Sequence, residues 1–128
     1  MRAGAFLERI ENIVGEGTPD VHGLADDVAF WMELKAVAAA PKRASSKLLG
    51  ITHGLNNEQI NWHLTYAQRG GNNWVLIGVG SREAILVHGK HALSINSASR
   101  DELISFCAAH VQSPSQWWIA HHALKGGR

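Results

Sequence analysis

The stretch Val28–Val37 constrains the fold of this chain more than any other part of the sequence. It is an uninterrupted run rich in β-branched, aromatic and long apolar side chains, which predicts a central β-strand. Successive side chains of a strand point to opposite faces, so Glu33 and Lys35 share one face. The core is expected to hold the opposite face, with Met32, Leu34 and Ala36. Because an apolar strand rarely carries two charges on one face, a use for them is expected.

A capped helix and a second apolar strand follow. Asn56 is a good N-cap, and Gln59 stands at the third helical position of a capping box. Gly70-Gly71 predicts the end of this helix, and Trp74–Val79 reads as a strand. A helix between two strands predicts a crossover between neighbours, with the helix packed over one face of the sheet.

The remaining elements are read with the same signals. The sequence predicts strands at Val21–Leu24 and Ala84–Val87, a helix at Arg100–His110 capped by Ser99, a last short helix carrying Trp117 and Trp118, and an exposed basic connection at Ala38–Leu55. Residues 5–14 are compatible with helix or strand. We therefore expect one domain over residues 1–128, with a core at about 6–95 and a C-terminal helical extension at about 99–124.

Composition is compatible with a reducing compartment and leaves the partner open. The net charge is +1 over 128 residues, so a nucleic-acid surface would have to be a local patch. No window is apolar enough for a membrane span, and the single cysteine, Cys107, fits a reducing compartment. A cytoplasmic protein that does not interact with a membrane is the expectation.

Asp20 supplies a further acid, directly after the turn Gly17-Thr18-Pro19. If the strands that carry Asp20 and Glu33 are neighbours, the two carboxylates repel each other unless a cation lies between them. Carboxylate oxygens suit Mg²⁺ or Mn²⁺. A lysine beside such a metal can hold a phosphate or help to deprotonate the attacking water. The residues thus point to metal-assisted hydrolysis of a phosphodiester.

These residues resemble the motif of the PD-(D/E)XK nuclease superfamily. Pro19-Asp20 looks like its PD element and Glu33-Leu34-Lys35 like its (D/E)XK element. With Gln59 and Trp62 on the following helix, the pattern is most similar to VRR-NUC nucleases and small phage endonucleases. The segment Arg9-Ile10-Glu11-Asn12 is also similar to short phage-type members, and the resemblance covers about residues 6–80.

The resemblance implies a restriction-endonuclease-like α/β core, a mixed sheet flanked by helices. It implies that Asp20, Glu33 and the main-chain carbonyl of Leu34 hold the metal. Lys35 would act on the water and phosphate, and Gln59 would orient groups around them. The implied partner is DNA, either branched DNA such as a Holliday junction or a strand to be nicked, in the host cytoplasm if the protein is phage-encoded.

One departure concerns a further acidic ligand. Most relatives place a metal-binding glutamate on a helix well before the PD element, and only nineteen residues precede Asp20 here. Glu8, Glu11 and Glu16 are the candidates, of which Glu11 is favoured. Alternatively, that helix is missing and a second subunit of a homodimer completes the site.

Basic side chains that could contact phosphates are Lys42, Arg43, Lys47 and Arg9. The alternative interpretation of the first three is a solvated connection. Two non-enzymatic alternatives also stay open: a catalytically silent DNA-binding or structural protein with this fold, and a small homodimeric structural protein that uses Trp117 and Trp118.

Overall fold

A computed structural model of the protein describes residues 5–9 and 17–126, without the side chains of Ala5 and Arg9. The described chain forms a six-stranded sheet whose strands lie in chain order, with helices on both faces. The elements are β1 (Ala5–Arg9), β2 (Val21–Ala25), β3 (Val28–Val37), α1 (Gly50–His53), α2 (Asn57–Gln68), β4 (Asn73–Val79), β5 (Glu83–His88), α3 (Ala92–Ile95), α4 (Arg100–Phe106), β6 (Ala109–Val111) and α5 (Trp117–Leu124). The predicted α/β class, a mixed sheet flanked by helices, is confirmed.

β3 is an interior strand of the sheet and has the predicted bounds. It pairs antiparallel with β2 and parallel with β4, so the sheet is mixed at this strand. The β2–β3 connection is a tight turn at Asp26, whose φ is +56°. The β3–β4 connection is the predicted crossover and contains α2, because parallel neighbours need a long connection.

The two faces of the sheet bury two separate cores. On one face Val75, Ile77 and Ile85 pack under α2, α3 and α4, with Leu103 among the helical contributors. On the other face Phe30, Met32 and Trp74 pack under α5, which contributes Ala120 and Leu124. The alternation of β4, with Val75 and Ile77 on one side and Trp74 on the other, assigns each face.

The start of α2 has the predicted capping box. The Asn56 side chain accepts a hydrogen bond from the main-chain N–H of Gln59 over 2.8 Å. In return, the side-chain oxygen of Gln59 accepts from the main-chain N–H of Asn56 over 2.9 Å. The helix ends at Gln68, and Gly70 follows at φ +81°, as the glycine pair predicts.

The predicted helix Arg100–His110 is wrong over its last four residues. α4 starts with the expected Ser99–Glu102 capping box but ends at Phe106. Ala109–Val111 is instead the edge strand β6, antiparallel to β5. The segment after residue 99 is therefore not purely helical, since it adds a strand to the main sheet.

Two further expectations about burial are wrong. Leu34, 39% exposed, and Ala36 lie on the face of α5, but beyond the part of the sheet that α5 covers. The connection at 38–55 is only partly an exposed loop, because it contains α1 and because Leu48, Leu49 and Leu55 enter the core. Apolar residues spaced within a basic segment anchor it to the sheet.

The sequence left helix or strand open for residues 5–14, and the structure answers this for residues 5–9. Ala5–Arg9 is a strand, β1, antiparallel to β2. Residues 10–16 lie outside the described part of the chain. Among the described helices, none has the length and apolar character needed to cross a membrane.

Candidate metal centre

The candidate site is built on the β2–β3 ladder, just beyond its last pair. Val21 lies opposite Met32, so one step further along the antiparallel register Asp20 stands opposite Glu33. The main-chain N–H of Trp31 bonds toward β4, which makes Trp31 and Glu33 non-hydrogen-bonded positions relative to β2. Side chains opposite each other approach most closely at such positions.

Asp20 is fixed to β3 by a main-chain hydrogen bond. Its Oδ2 accepts from the N–H of Leu34 over 3.0 Å. The carbonyl of a strand residue points to the same side as its N–H, because opposite residues exchange both bonds. The Leu34 carbonyl therefore points toward the β2 side of β3, where Asp20 lies.

Glu33 is a buried carboxylate with one unsatisfied oxygen. The residue is 1% exposed. Its Oε2 accepts from Nε2 of Gln59 over 3.1 Å, while Oε1 is buried without a hydrogen-bond partner in the described part of the chain. Burial, and after it the neighbouring Asp20 carboxyl group, raise the pKa of Glu33 to about 8 against the opposing charge of Lys35.

Gln59 joins the acid to the lysine. Its Oε1 accepts from Nζ of Lys35 over 3.2 Å and from the N–H of Asn56, and its Nε2 donates to Glu33. Two donors at one end and a carboxylate at the other fix the orientation of the amide. The same side chain is therefore both the third member of the capping box and the link between Glu33 and Lys35.

A divalent cation fits these groups. Two carboxylates from adjacent strands stand together, one with an orphaned buried oxygen, and a cation between them would remove both the repulsion and the missing partner. The donors are hard oxygens, which suit Mg²⁺ or Mn²⁺, with water in the remaining positions. Within residues 5–9 and 17–126 no group of three or more His, Cys, Asp or Glu side chains could hold a metal. The main-chain carbonyl of Leu34, on the Asp20 side of β3, would be a further oxygen donor for such a cation.

The predicted upstream acid is not located by the structure. Glu11, the favoured residue, and Glu16 both lie outside the described residues. Glu8 is exposed on β1 and stands opposite His22 in the register, not opposite Asp20.

The basic candidates are separate from this cluster. Lys42 and Arg43 are exposed and line a depression of about 460 Å³ beside Glu83 and Arg100. Lys47 pairs with Ser99 in an isolated bridge. No described hydrogen bond or ion pair joins any of them to Asp20, Glu33, Lys35 or Gln59, and the side chain of Arg9 is outside the described part.

A row of aromatic side chains lies next to the carboxylates, and contact among these rings was not predicted from the sequence. Four rings follow one another in contact: His22, Trp31, Trp62 and Tyr66. Two signals in the sequence could have indicated it. Trp31 has the same strand parity as Glu33, and Trp62 and Tyr66 are spaced by one helical turn.

The histidine of α2 belongs to the core. His63 is fully buried, and Nδ2 of Asn73 lies 2.9 Å from its Nδ1. Burial lowers the pKa of His63 to about 4, so the ring is neutral near pH 7. Gly89 packs so closely here that a Cβ on it would overlap the Asn73 amide. His53 is exposed on α1.

Comparison with solved structures finds a similar fold, whereas comparisons of the sequence find no match. No protein-family model matches the sequence, and no curated protein matches it. Among solved structures, the chain is similar to Archaeoglobus fulgidus Hjc, a Holliday junction resolvase from an archaeal hyperthermophile, with a TM-score of 0.48 and 15% identity. The match covers 69% of this chain and 66%, just under two thirds, of that chain. The likeness concerns the arrangement of the chain in space alone.

Proposed function

We propose that the protein is a divalent-metal-dependent endonuclease that hydrolyses phosphodiester bonds of DNA. One observation carries the proposal. Asp20 and the buried Glu33 stand side by side with an unsatisfied oxygen, and Lys35 is held next to them by the same Gln59 amide that binds Glu33. An acid pair and an oriented cation meet the needs of phosphodiester hydrolysis.

In this proposal, Asp20, Glu33 and the Leu34 carbonyl hold Mg²⁺ or Mn²⁺. The metal would supply Lewis-acid polarisation of the phosphate and a lowered pKa of bound water. Lys35 brings a positive charge to the oxygens of the scissile phosphate, where negative charge increases in the transition state. Gln59 limits the positions of Glu33 and Lys35, and such positioning is itself a large part of catalysis.

The choice of DNA rests on the sequence resemblance to the PD-(D/E)XK motif, and the choice of VRR-NUC or phage-type relatives rests on it too. Within the proposal, the substrate is branched DNA, including a Holliday junction, or a duplex that is nicked. Lys42, Arg43, Lys47 and Arg9 are proposed to contact phosphates away from the cleaved bond. A homodimer is proposed as one source of a third acidic ligand.

The test is a cleavage assay on linear duplex, single-stranded, flapped and four-way branched DNA, with Mg²⁺, Mn²⁺ or EDTA. We expect cleavage with either metal, none with EDTA, and a loss of about 10²-fold or more in Lys35→Ala, as for removal of one transition-state charge contact. Lys90→Ala is the matched control, because it removes an exposed lysine after β5. Equal activity of the two variants would refute the role of Lys35.

The silent DNA-binding alternative makes the opposite prediction. A folded protein that binds DNA but cleaves none of the four substrates with either metal would favour it. Measuring the mass in solution, with and without metal, separates a homodimer from a monomer in the same experiments.

A further inference from the structure

The aromatic row passes from β2 and β3, beside the candidate metal centre, onto α2. Trp31 lies two residues before Glu33 on the same face of β3, and Trp62 lies about one turn after Gln59 on α2. The Trp31 and Trp62 rings meet edge to face, with centroids 5.7 Å apart. The row therefore begins where the acid pair and the glutamine are held.

The far end of the row is open to solvent. The Trp62 and Tyr66 rings stack with centroids 4.7 Å apart and an interplanar angle of 15°, and Tyr66 is 38% exposed. They form the aromatic wall of a groove of about 550 Å³ on α2. Its other lining residues are Glu58, Asn61, Thr65 and Arg69. An aromatic pair that served only the core would be covered by other side chains. The exposure of Tyr66 leaves this pair accessible to a ligand.

The groove lies within the length of a few nucleotides from the candidate metal centre. Trp62 and Tyr66 lie about 5 Å and 10 Å beyond Gln59 along the axis, at 1.5 Å per residue. Stacked nucleotides of one strand repeat every 3.4 Å or so, so the rings are within about three nucleotides of a phosphate held at Lys35. Arg69, at the end of α2, brings to the groove a charge complementary to the strand backbone, while the acidic Glu58 lines the part of the groove nearest Gln59 in sequence.

We propose that this groove is a stacking platform for unpaired bases of the DNA strand that is cleaved. The inference rests on the proposed function and deepens it, because it names a strand with unpaired nucleotides beside the scissile bond as the substrate. Aromatic side chains stack on any base, since every base has a π-face, and the base must be out of the duplex for this contact. Bases near the crossover of a branch or in a flap meet that condition.

The test measures binding without cleavage. Two single strands of equal length and charge are compared in EDTA: oligothymidylate, and an abasic phosphodiester chain that offers no base. Wild type should bind the base-containing strand about ten-fold or more tightly than the abasic strand, as expected from the loss of stacking. Tyr66→Ala and Trp62→Leu should each reduce that preference about ten-fold, whereas the affinity for the abasic strand should change little.

Trp118→Ala is the matched control, because it removes a tryptophan that is 68% exposed on α5. It should keep the wild-type preference. Tyr66→Ala keeps the test valid even if Trp62→Leu fails to fold, since Tyr66 lies at the open end of the row. Equal affinities for the two strands, no binding of either, or an effect of Trp118→Ala as large as that of Tyr66→Ala would each overturn the inference.

A second measurement separates this inference from the proposed function. With Mg²⁺, cleavage is compared on a fully paired duplex and on the same duplex with unpaired nucleotides beside the cut. The rate ratio should favour the unpaired substrate in wild type and fall toward one in Tyr66→Ala. If cleavage depends on Lys35 but the rate is the same on both substrates, the nuclease proposal stands and the stacking platform is refuted. The absence of all cleavage removes the nuclease, while the binding experiment still decides the platform.

Discussion

Gln59 donates a hydrogen bond from its side-chain amide to Oε2 of Glu33, 3.1 Å away, from the first turn of α2. The other end of the same amide caps that turn and accepts from Lys35. One side chain thus stabilises a helix start and orients two groups of the candidate metal centre.

Gln59→Ala should therefore damage stability and activity together. Loss of a capping interaction costs about 1 kcal/mol of the free energy of unfolding. Loss of orientation of Glu33 and Lys35 should lower the cleavage rate by about 10²-fold. Urea denaturation and single-turnover cleavage measure the two effects.

A matched control exists for the stability that is lost when a capping-box side chain is removed. Glu102 occupies the same third position of the capping box of α4, on an element that does not carry the site. Glu102→Ala should cost a similar amount of stability and leave the cleavage rate of the folded protein unchanged. If both variants lose activity in proportion to stability, Gln59 has only a capping role.

Glu33→Gln should stabilise the metal-free protein while abolishing cleavage. The raised pKa of Glu33, about 8 against an ordinary 4.5, means that the native state keeps a proton that the unfolded state releases between these values. The contribution of Glu33 to wild-type stability in EDTA therefore falls as the pH rises through this interval and is lowest above pH 8, whereas buried His63, with its lowered pKa, adds stability as the pH rises to about 6.5 in both proteins. The amide variant lacks this fall, so its advantage should grow from pH 5 to pH 8.5.

Unfolding by urea at several pH values, in EDTA, measures this difference. Glu58→Gln, an exposed carboxylate on α2, should retain the wild-type fall, because Glu33 is still present. If the extra stability of Glu33→Gln did not depend on pH, the raised pKa of the buried Glu33 carboxyl group beside Asp20 would be contradicted.

Gly17→Ala should disturb the contact between the Asp20 turn and α2. Gly17 has a φ of +83°, and a Cβ on it would overlap the main-chain carbonyl of Glu58. Gly70 has a φ of +81°, but a Cβ there meets nothing within 4 Å. Gly70→Ala should cost about 1 kcal/mol for the left-handed conformation, and Gly17→Ala about 1–3 kcal/mol more for displaced backbone.

Cleavage separates the two glycine variants further. Gly17→Ala should reduce activity beyond its effect on the folded fraction, because the turn carries Asp20. Gly70→Ala should retain the wild-type rate once folded. Thermal denaturation and cleavage at a temperature where both are folded provide the comparison, and equal losses of stability would show that the overlap with Glu58 is relieved without cost.

Much of the arrangement of the candidate site residues could be predicted because it depends on short-range rules. Alternation along β3 places Glu33 and Lys35 on one face, and the capping box fixes Gln59 at the start of α2. A tight hairpin then fixes the register that sets Asp20 opposite Glu33. Each of these features depends only on neighbours in sequence or on one turn.

The rest depends on long-range packing. β6 has three residues, too few for a periodic signal, and it is a strand only because β5 offers an edge to pair with. Leu34 is exposed because α5 covers only part of the sheet face on which Leu34 lies. The sequence of β3 does not determine how far α5 extends over that face. Trp31 and Trp62 meet because of the rotation of α2 about its axis, which the whole helical layer determines.

Lys42 and Arg43 should act on DNA affinity rather than on the chemical step. They are exposed and unconnected to the acid cluster by any described contact, so the double variant Lys42→Ala/Arg43→Ala should keep the cleavage rate at saturating DNA. If each contacts one phosphate, the slope of log affinity against log salt should fall by about 1.8 on duplex DNA. Fluorescence anisotropy at several salt concentrations measures the slope. Lys90→Ala should leave the slope unchanged. An unchanged slope in the double variant would show that Lys42 and Arg43 contact no phosphate and belong to a solvated connection.

The shared amide of Gln59 also has a consequence in time. The first turn of α2 cannot fray without releasing Glu33 and Lys35, so local opening of the helix start and disassembly of the centre are one event. The main-chain N–H of Gln59 is protected by Asn56 only while that turn is closed. Its exchange with deuterated solvent therefore reports how often the resting protein loses its arrangement of acid and lysine, and a bound cation should slow that exchange by holding Glu33 in place.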